Sequence, residues 1–275
     1  MKLFFITNNP SLASFVVAQG VDRIFIDLEI NGKVARQGHL STVISRHSIV
    51  DIKRIRSEVP KIEILVRVNP MHAGLRCEVD DVIEAGANIV MLPMFHSPED
   101  ASAFIEMVAG RAKVSLLVET IAAMDTLAKT VQLKGLDEVH IGLNDLHIEL
   151  KNTFMFEPLA DGLVDTMARI LQKANIPFGI GGLARVGEGL LPAELLISEH
   201  VRLGSSAAIL SRTFHRQIST VDGISTEMDL GDEIAKIRLA VCRAQEMTEA
   251  CLAENQQDVQ RRVASLVASK ISSLV

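Results

Sequence analysis

Two carboxylates leave the ends of apolar, strand-like runs. "KVSLLVET" is apolar from Val114 to Val118, apart from one serine, and ends in Glu119; "EVHIGLNDL" delivers Asn144 and Asp145 after a short apolar run. A buried strand gains nothing from an ionised side chain at its end. Carboxylates that meet repel one another unless a proton or a cation lies between them. Two hard oxygen ligands with room left for water suit Mg²⁺ or Mn²⁺, and the open positions would take a substrate with two adjacent oxygens, such as a 2-oxo acid. Arg67, in "VRVNP", offers a fixed cation and a donor fork for a carboxylate or a developing oxyanion. Other roles stay open: either carboxylate could cap a helix or pair with Arg67.

The elements that must position these groups are short and regular. Strands are expected at Lys2–Thr7, Arg23–Leu28, Glu63–Val68, Asn88–Leu92, Lys113–Val118, Glu138–Leu143, Pro177–Gly181 and Val201–Gly204. Their runs are continuous rather than alternating, as for parallel strands covered on both faces. Amphipathic segments lie between them. Ser97-Pro98-Glu99-Asp100 reads as a capped helix start, and Glu84-Ala85-Gly86 as a helix end. Eight such units in about 215 residues match a (β/α)₈ barrel. An open doubly wound sheet would want a glycine-rich first turn, and "FFITNNPS" has no glycine.

Sites in such barrels are built where the C-terminal strand ends converge. Those ends would be Asp27 and Glu29 ("FIDLE"), Arg67 and Asn69, Pro93 ("VMLPMF"), Glu119, then Gly142, Asn144 and Asp145. The glycines of "FGIGGLAR" and Gly204-Ser205 would complete the ring; those glycines fit close packing of strand against helix better than a phosphate cradle. The "RLGSSAAIL" stretch reads as a tight turn before a helix. The opposite strand ends carry ordinary Lys, Arg and Glu. After Thr220, "TVDGIST" looks turn-like, and from Gly231 onward apolar residues recur at helical spacing with a break expected near Asn255-Gln256-Gln257. The division expected is a barrel over residues 1–218 and a helical extension over 219–275, which packs on its own barrel or on a neighbouring subunit.

Composition narrows the function. With 275 residues, 48% of them hydrophobic, the chain can bury one large core. A net charge of −6 and the absence of Trp and Tyr argue against nucleic-acid binding. Cys77, Cys242 and Cys251 are odd in number and lack a CxxC pairing, which fits reduced thiols rather than a disulfide framework. The apolar run Leu3 to Ile6 is too short for a signal-peptide core or a membrane span. A soluble, cytoplasmic protein is expected.

The set "FIDLE", "VRVNP", "EAGANIVMLPM", "LVET" and "HIGLNDL", in this order, resembles the HpcH/HpaI aldolase and citrate lyase β-subunit family over about residues 1–215. The resemblance implies a metal-dependent carbon–carbon lyase on a phosphoenolpyruvate/pyruvate-type barrel. It implies Glu119 and Asp145 as ligands of the divalent ion and Arg67 as the catalytic, substrate-orienting arginine. The backbone of Gly142, Leu143 and Asn144 would line the substrate carboxylate site. Asp27 and Glu29 would hold metal-bound waters and the arginine. The aldolase branch has a histidine directly after its own acidic motif, where this chain has Ile30; His39 or His47 could supply that proton-transfer group instead. The expected reaction cleaves or forms a C–C bond in a 2-oxo or hydroxy acid through a pyruvate-type enolate. An acyl-CoA (citryl- or malyl-CoA-like) lyase and a catalytically silent metal-binding barrel are the alternatives. The partners expected are a small oxo acid and further copies of the chain, as a trimer or hexamer.

Overall fold

The structure is a computed structural model that describes residues 1–32, 47–214 and 218–272. Eight parallel strands close into a barrel: β1 (Lys2–Ile6), β2 (Arg23–Asp27), β3 (Glu63–Arg67), β4 (Ile89–Leu92), β5 (Lys113–Val118), β6 (Glu138–Ile141), β7 (Phe178–Leu183) and β8 (Ala207–Leu210), with β8 pairing back onto β1. The helices between them are α1 (Pro10–Ala18), α2 (Ile49–Glu58), α3 (Leu75–Glu84), α4 (Pro98–Val108), α5 (Ile121–Thr130), α6 (Leu143–Glu149), α7 (Glu157–Ala160), α8 (Leu163–Lys173) and α9 (Ala193–Arg202). The (β/α)₈ expectation therefore holds.

The eighth strand was misplaced. Val201–Gly204 is the end of α9, and Gly204 (φ +69) supplies the left-handed turn that closes it. The strand follows as "AAIL", so "RLGSS" ends a helix rather than starting one. Gly204 and Ser205 consequently lie at the foot of β8; Ser211 follows its C-terminal end.

Side chains pointing into the barrel form layers. A middle layer is apolar: Phe4, Phe25, Leu65, Met91 and Leu117 pack together inside the strands. Beneath it the strand starts are charged. Glu63 receives Lys2, Lys113 and Arg23, each at 2.9 Å, and Arg23 also reaches Glu138 at 2.7 Å. Arg23 is 1% exposed and lies 4.3 Å over the Phe4 ring. Burial alone would raise the Glu63 pKa, but these three donors bring it down to about 2.

Beyond β8, "TVDGIST" is not a turn: α10 spans Val221–Glu227, with Thr220 accepting from the Gly223 N–H. Two long helices follow, α11 (Leu230–Gln245) and α12 (Glu249–Ser272). The break falls at Glu246–Thr248 instead of residues 255–257, and Thr248 Oγ accepts the Cys251 N–H at 3.2 Å. Leu230, Ile234, Ile237, Val241, Val259 and Val263 are buried in the chain's own core, mainly beside α9 and α7. All three cysteines are free and exposed. None of the described helices is long and apolar enough to cross a membrane.

Candidate active site

The C-terminal strand ends surround a cavity of about 780 Å³ whose lining includes Asp27, His47, Arg67, Glu119 and Gly142 through Asp145. Asp27 and Glu29 leave β2 almost fully buried, at 2% and 1% exposure. Arg67, the last residue of β3, donates Nε–H and an Nη–H to the two oxygens of Asp27, both at 2.9 Å, and stands 3.4 Å from Glu29. Burial would lower its pKa, but Asp27, Glu29 and Glu119 raise it, so it stays cationic. This bidentate clamp fixes the plane of the guanidinium. Asn69 organises the loop above it: its Oδ1 accepts the N–H groups of Ile30 and Asn31, and its side-chain amide donates to Glu78.

Glu119 directly follows β5 and is 2% exposed. It does not cap a helix; Thr120 caps α5, accepting the Ala123 N–H and donating to the Phe95 carbonyl. Glu119 Oε1 accepts the N–H of Met94 at 3.1 Å. Met94 holds that donor in place with a left-handed backbone, φ +49, a conformation that favours glycine and marks local strain. Burial first, and then the charge of Asp145, push the Glu119 carboxyl well above the ordinary carboxylate pKa, with Arg67 offsetting part of it. Asp145 sits in the first turn of α6 and is 8% exposed. Gly142 is required by close approach, since a Cβ there would lie 2.9 Å from both Cβ and Oε2 of Glu119.

The structure thus gathers Asp27, Glu29, Arg67, Glu119 and Asp145 at one rim, with Gly142, Leu143 and Asn144 on the cavity wall. Pro93 is buried at the end of β4 and does not line the cavity; its neighbour Met94 serves the site through its backbone. His39 lies outside the described residues. His47 does line the cavity, and its Nδ1 accepts the backbone N–H of Asp27 at 3.0 Å. That bond leaves the proton of the neutral ring on Nε2. Ile30 is 60% exposed and not part of the wall. The glycines of β7 make room: a Cβ on Gly179 would lie 2.4 Å from the ring of His140, and no helix starts until Ala193.

Among the described residues no group of three or more His, Cys, Asp or Glu side chains is arranged to hold a metal ion. The pair Glu119 and Asp145 nevertheless fits Mg²⁺ or Mn²⁺ by donor chemistry, because such ions accept one or two carboxylates and keep several waters. The mutual repulsion felt by Glu119 is what a bound cation would relieve.

A family model for HpcH/HpaI aldolase/citrate lyase matches residues 1–176. Solved structures similar in shape include an HpcH/HpaI aldolase from Desulfitobacterium hafniense DCB-2, at 15% identity and TM-score 0.59, covering 90% of this chain and 94% of that one. Another is an HpcH/HpaI aldolase/citrate lyase family protein from Burkholderia cenocepacia J2315, at 15% identity and TM-score 0.61, covering 86% and 94%. Citrate synthase SbnG matches at 16% identity and TM-score 0.60, covering 86% and 93%. At such identities the likeness speaks for the fold. No curated protein matches the sequence significantly.

Proposed function

The chain belongs to the HpcH/HpaI aldolase/citrate lyase family, whose aldolases are generally divalent-metal-dependent, and on that premise we propose that it is a metal-dependent carbon–carbon lyase. Its substrate would be a 2-oxo or hydroxy acid cleaved, or formed, through a pyruvate-type enolate. The observation that carries this reading is the Glu119–Asp145 pair, two acids buried at the mouth of the cavity beside a clamped arginine. Glu119 and Asp145 would hold Mg²⁺ or Mn²⁺, which when bound supplies the positive charge that favours an ionised enol oxygen.

The remaining roles fall to the chain's own groups. Asp27 and Glu29 hold Arg67 cationic and aimed, so that its free donors can neutralise charge as the C–C bond breaks. The backbone of Gly142 to Asn144 would face the substrate carboxylate. His47, with its Nδ1 occupied by the Asp27 N–H, would carry protons on Nε2, between the enolate carbon or the substrate hydroxyl and solvent. This is the role that a histidine in place of Ile30 fills in the aldolase branch. Exchange of the pyruvate methyl protons with deuterated solvent, followed by NMR with and without Mn²⁺, tests the reading. Metal-dependent exchange is expected. Its absence in the wild type would remove the enolate chemistry.

A further inference from the structure

The cavity is larger than a three-carbon acid needs. It measures about 780 Å³, whereas such an acid fills on the order of three or four water volumes of about 30 Å³ each. Its polar groups fall in two sets, with Asn8, Ser211, Arg212 and Thr213 on the β1 and β8 side and a charged cluster on the other strand ends. Asp27, Arg67, Glu119 and Asp145 crowd the ends of β2 to β6. Phe154, Met155 and Phe156, from the segment after α6, line it together with Leu190 and Leu191 from the segment after β7.

This apolar wall is built in advance. Phe154 meets Phe156 edge-to-face at 5.4 Å. From α12, Lys270 stands 4.8 Å over the Phe154 ring and donates to the Thr153 carbonyl at 3.3 Å, and Gln260 donates to the Ala160 carbonyl at 3.2 Å. The last helix therefore clamps the segment that carries the aromatics. Leu190 is 64% exposed, a large aliphatic side chain facing the cavity rather than the core. The hydroxyls on the β8 side already have partners: Thr213 Oγ accepts the Arg185 N–H at 3.0 Å, and Ser211 Oγ lies 3.1 Å from it.

We propose that this wall receives an apolar substituent of the substrate. On the lyase reading above, on which the inference rests, the fragment beyond the breaking bond is an aldehyde or acyl group with an alkyl chain or ring, not a polyhydroxylated one. Preformed apolar surface binds such a group without first paying to order itself, and each methylene buried there tightens binding about fourfold.

The test is calorimetric titration of the protein with Mg²⁺ present, using unbranched 2-oxo acids from pyruvate to 2-oxooctanoate. The dissociation constant should fall about fourfold per added methylene over the first three. Leu190→Asp, at an exposed position, and Met155→Asp, at a partly buried one, should flatten that series. A flat series in the wild type overturns the proposal, as does tighter binding of a polyhydroxylated six-carbon 2-oxo acid than of 2-oxohexanoate. It is also overturned if Leu190→Asp and Met155→Asp both leave the slope intact while Leu190→Asp lowers the oligomeric state, which would make Leu190 a contact between copies. A steep series in a protein that fails to exchange pyruvate protons supports the apolar site and sinks the lyase reading; exchange with a flat series does the reverse.

Discussion

At the foot of the barrel, Glu63 and Glu138 meet Lys2, Arg23 and Lys113 in ion pairs of 2.7–2.9 Å. At the mouth, Arg67 meets Asp27 and Glu29 and also feels the charge of Glu119, which in turn is repelled by Asp145. The same cylinder of strands buries charge at both ends, and the consequences for its acids are opposite. Glu63 is drawn down to about 2, which stabilises its ionised form, while Glu119 is pushed well above the ordinary range by burial and by Asp145. Charges at the foot are neutralised within the chain and serve the fold. At the mouth Glu119 is held at a cost to the fold, as expected where a bound cation would complete a site.

That contrast can be broken or sharpened by experiment. The largest effect belongs to the mouth: Asp145→Ala should lower metal-dependent pyruvate proton exchange by about 10³-fold or more, read by NMR, with the fold retained by circular dichroism. Acid comes next. His140 is held neutral by burial, its pKa lowered to about 4, and His200 likewise to about 3. Unfolded histidines titrate near 6.5, so their contribution is complete above that pH and is lost as pH falls toward the folded values. Each loses roughly 1.4 kcal/mol per pH unit in that window, and urea midpoints should show as much as about 4 kcal/mol lost by pH 5.

At the foot, Arg23→Leu removes the buried cation between two glutamates and should cost about 3 kcal/mol in stability while leaving Mn²⁺ affinity unchanged. A loss of Mn²⁺ binding in that variant would erase the distinction between the two ends. His47→Asn should reduce turnover by about 10²-fold, measured as kcat on whichever oxo acid is cleaved, and flatten its pH profile. The smallest effect has the most telling sign. Glu119→Gln should make the metal-free protein more stable by about 1 kcal/mol, because it removes a buried like-charge neighbour of Asp145; thermal melts in chelator decide it.

Much of this was legible in the chain. Continuous apolar runs ending in an acid or an arginine fixed seven strands and the rim residues, because a parallel barrel forces all C-terminal ends to one side. The eighth strand was hidden: "AAIL" is four residues long, and "HVRLG" just before it offers Val201 and Leu203 as a better-looking run although they close α9. The break in the C-terminal helices was misread from Asn255-Gln256-Gln257, a polar run inside an unbroken helix of which only Gln257 is exposed; Thr248-Glu249, a cap followed by an acid, was the better signal. Met94 carries no signal, since nothing in a methionine announces a left-handed backbone. His47 is visible as a histidine, but its hydrogen bond to the Asp27 backbone spans 20 positions and depends on the chain's return path. The foot network looked like ordinary surface charge because the layer it closes appears only once the barrel is built.

The central claim is that the carboxylate pair at the mouth is kept for a cation. Titration of the chelator-treated protein with Mn²⁺, followed by electron paramagnetic resonance, tests it most directly. The account predicts one Mn²⁺ bound per chain in the wild type and in Arg23→Leu, with binding abolished in Glu119→Gln and Asp145→Ala. Failure of the wild type to bind, or unchanged binding in both mouth variants, would contradict it.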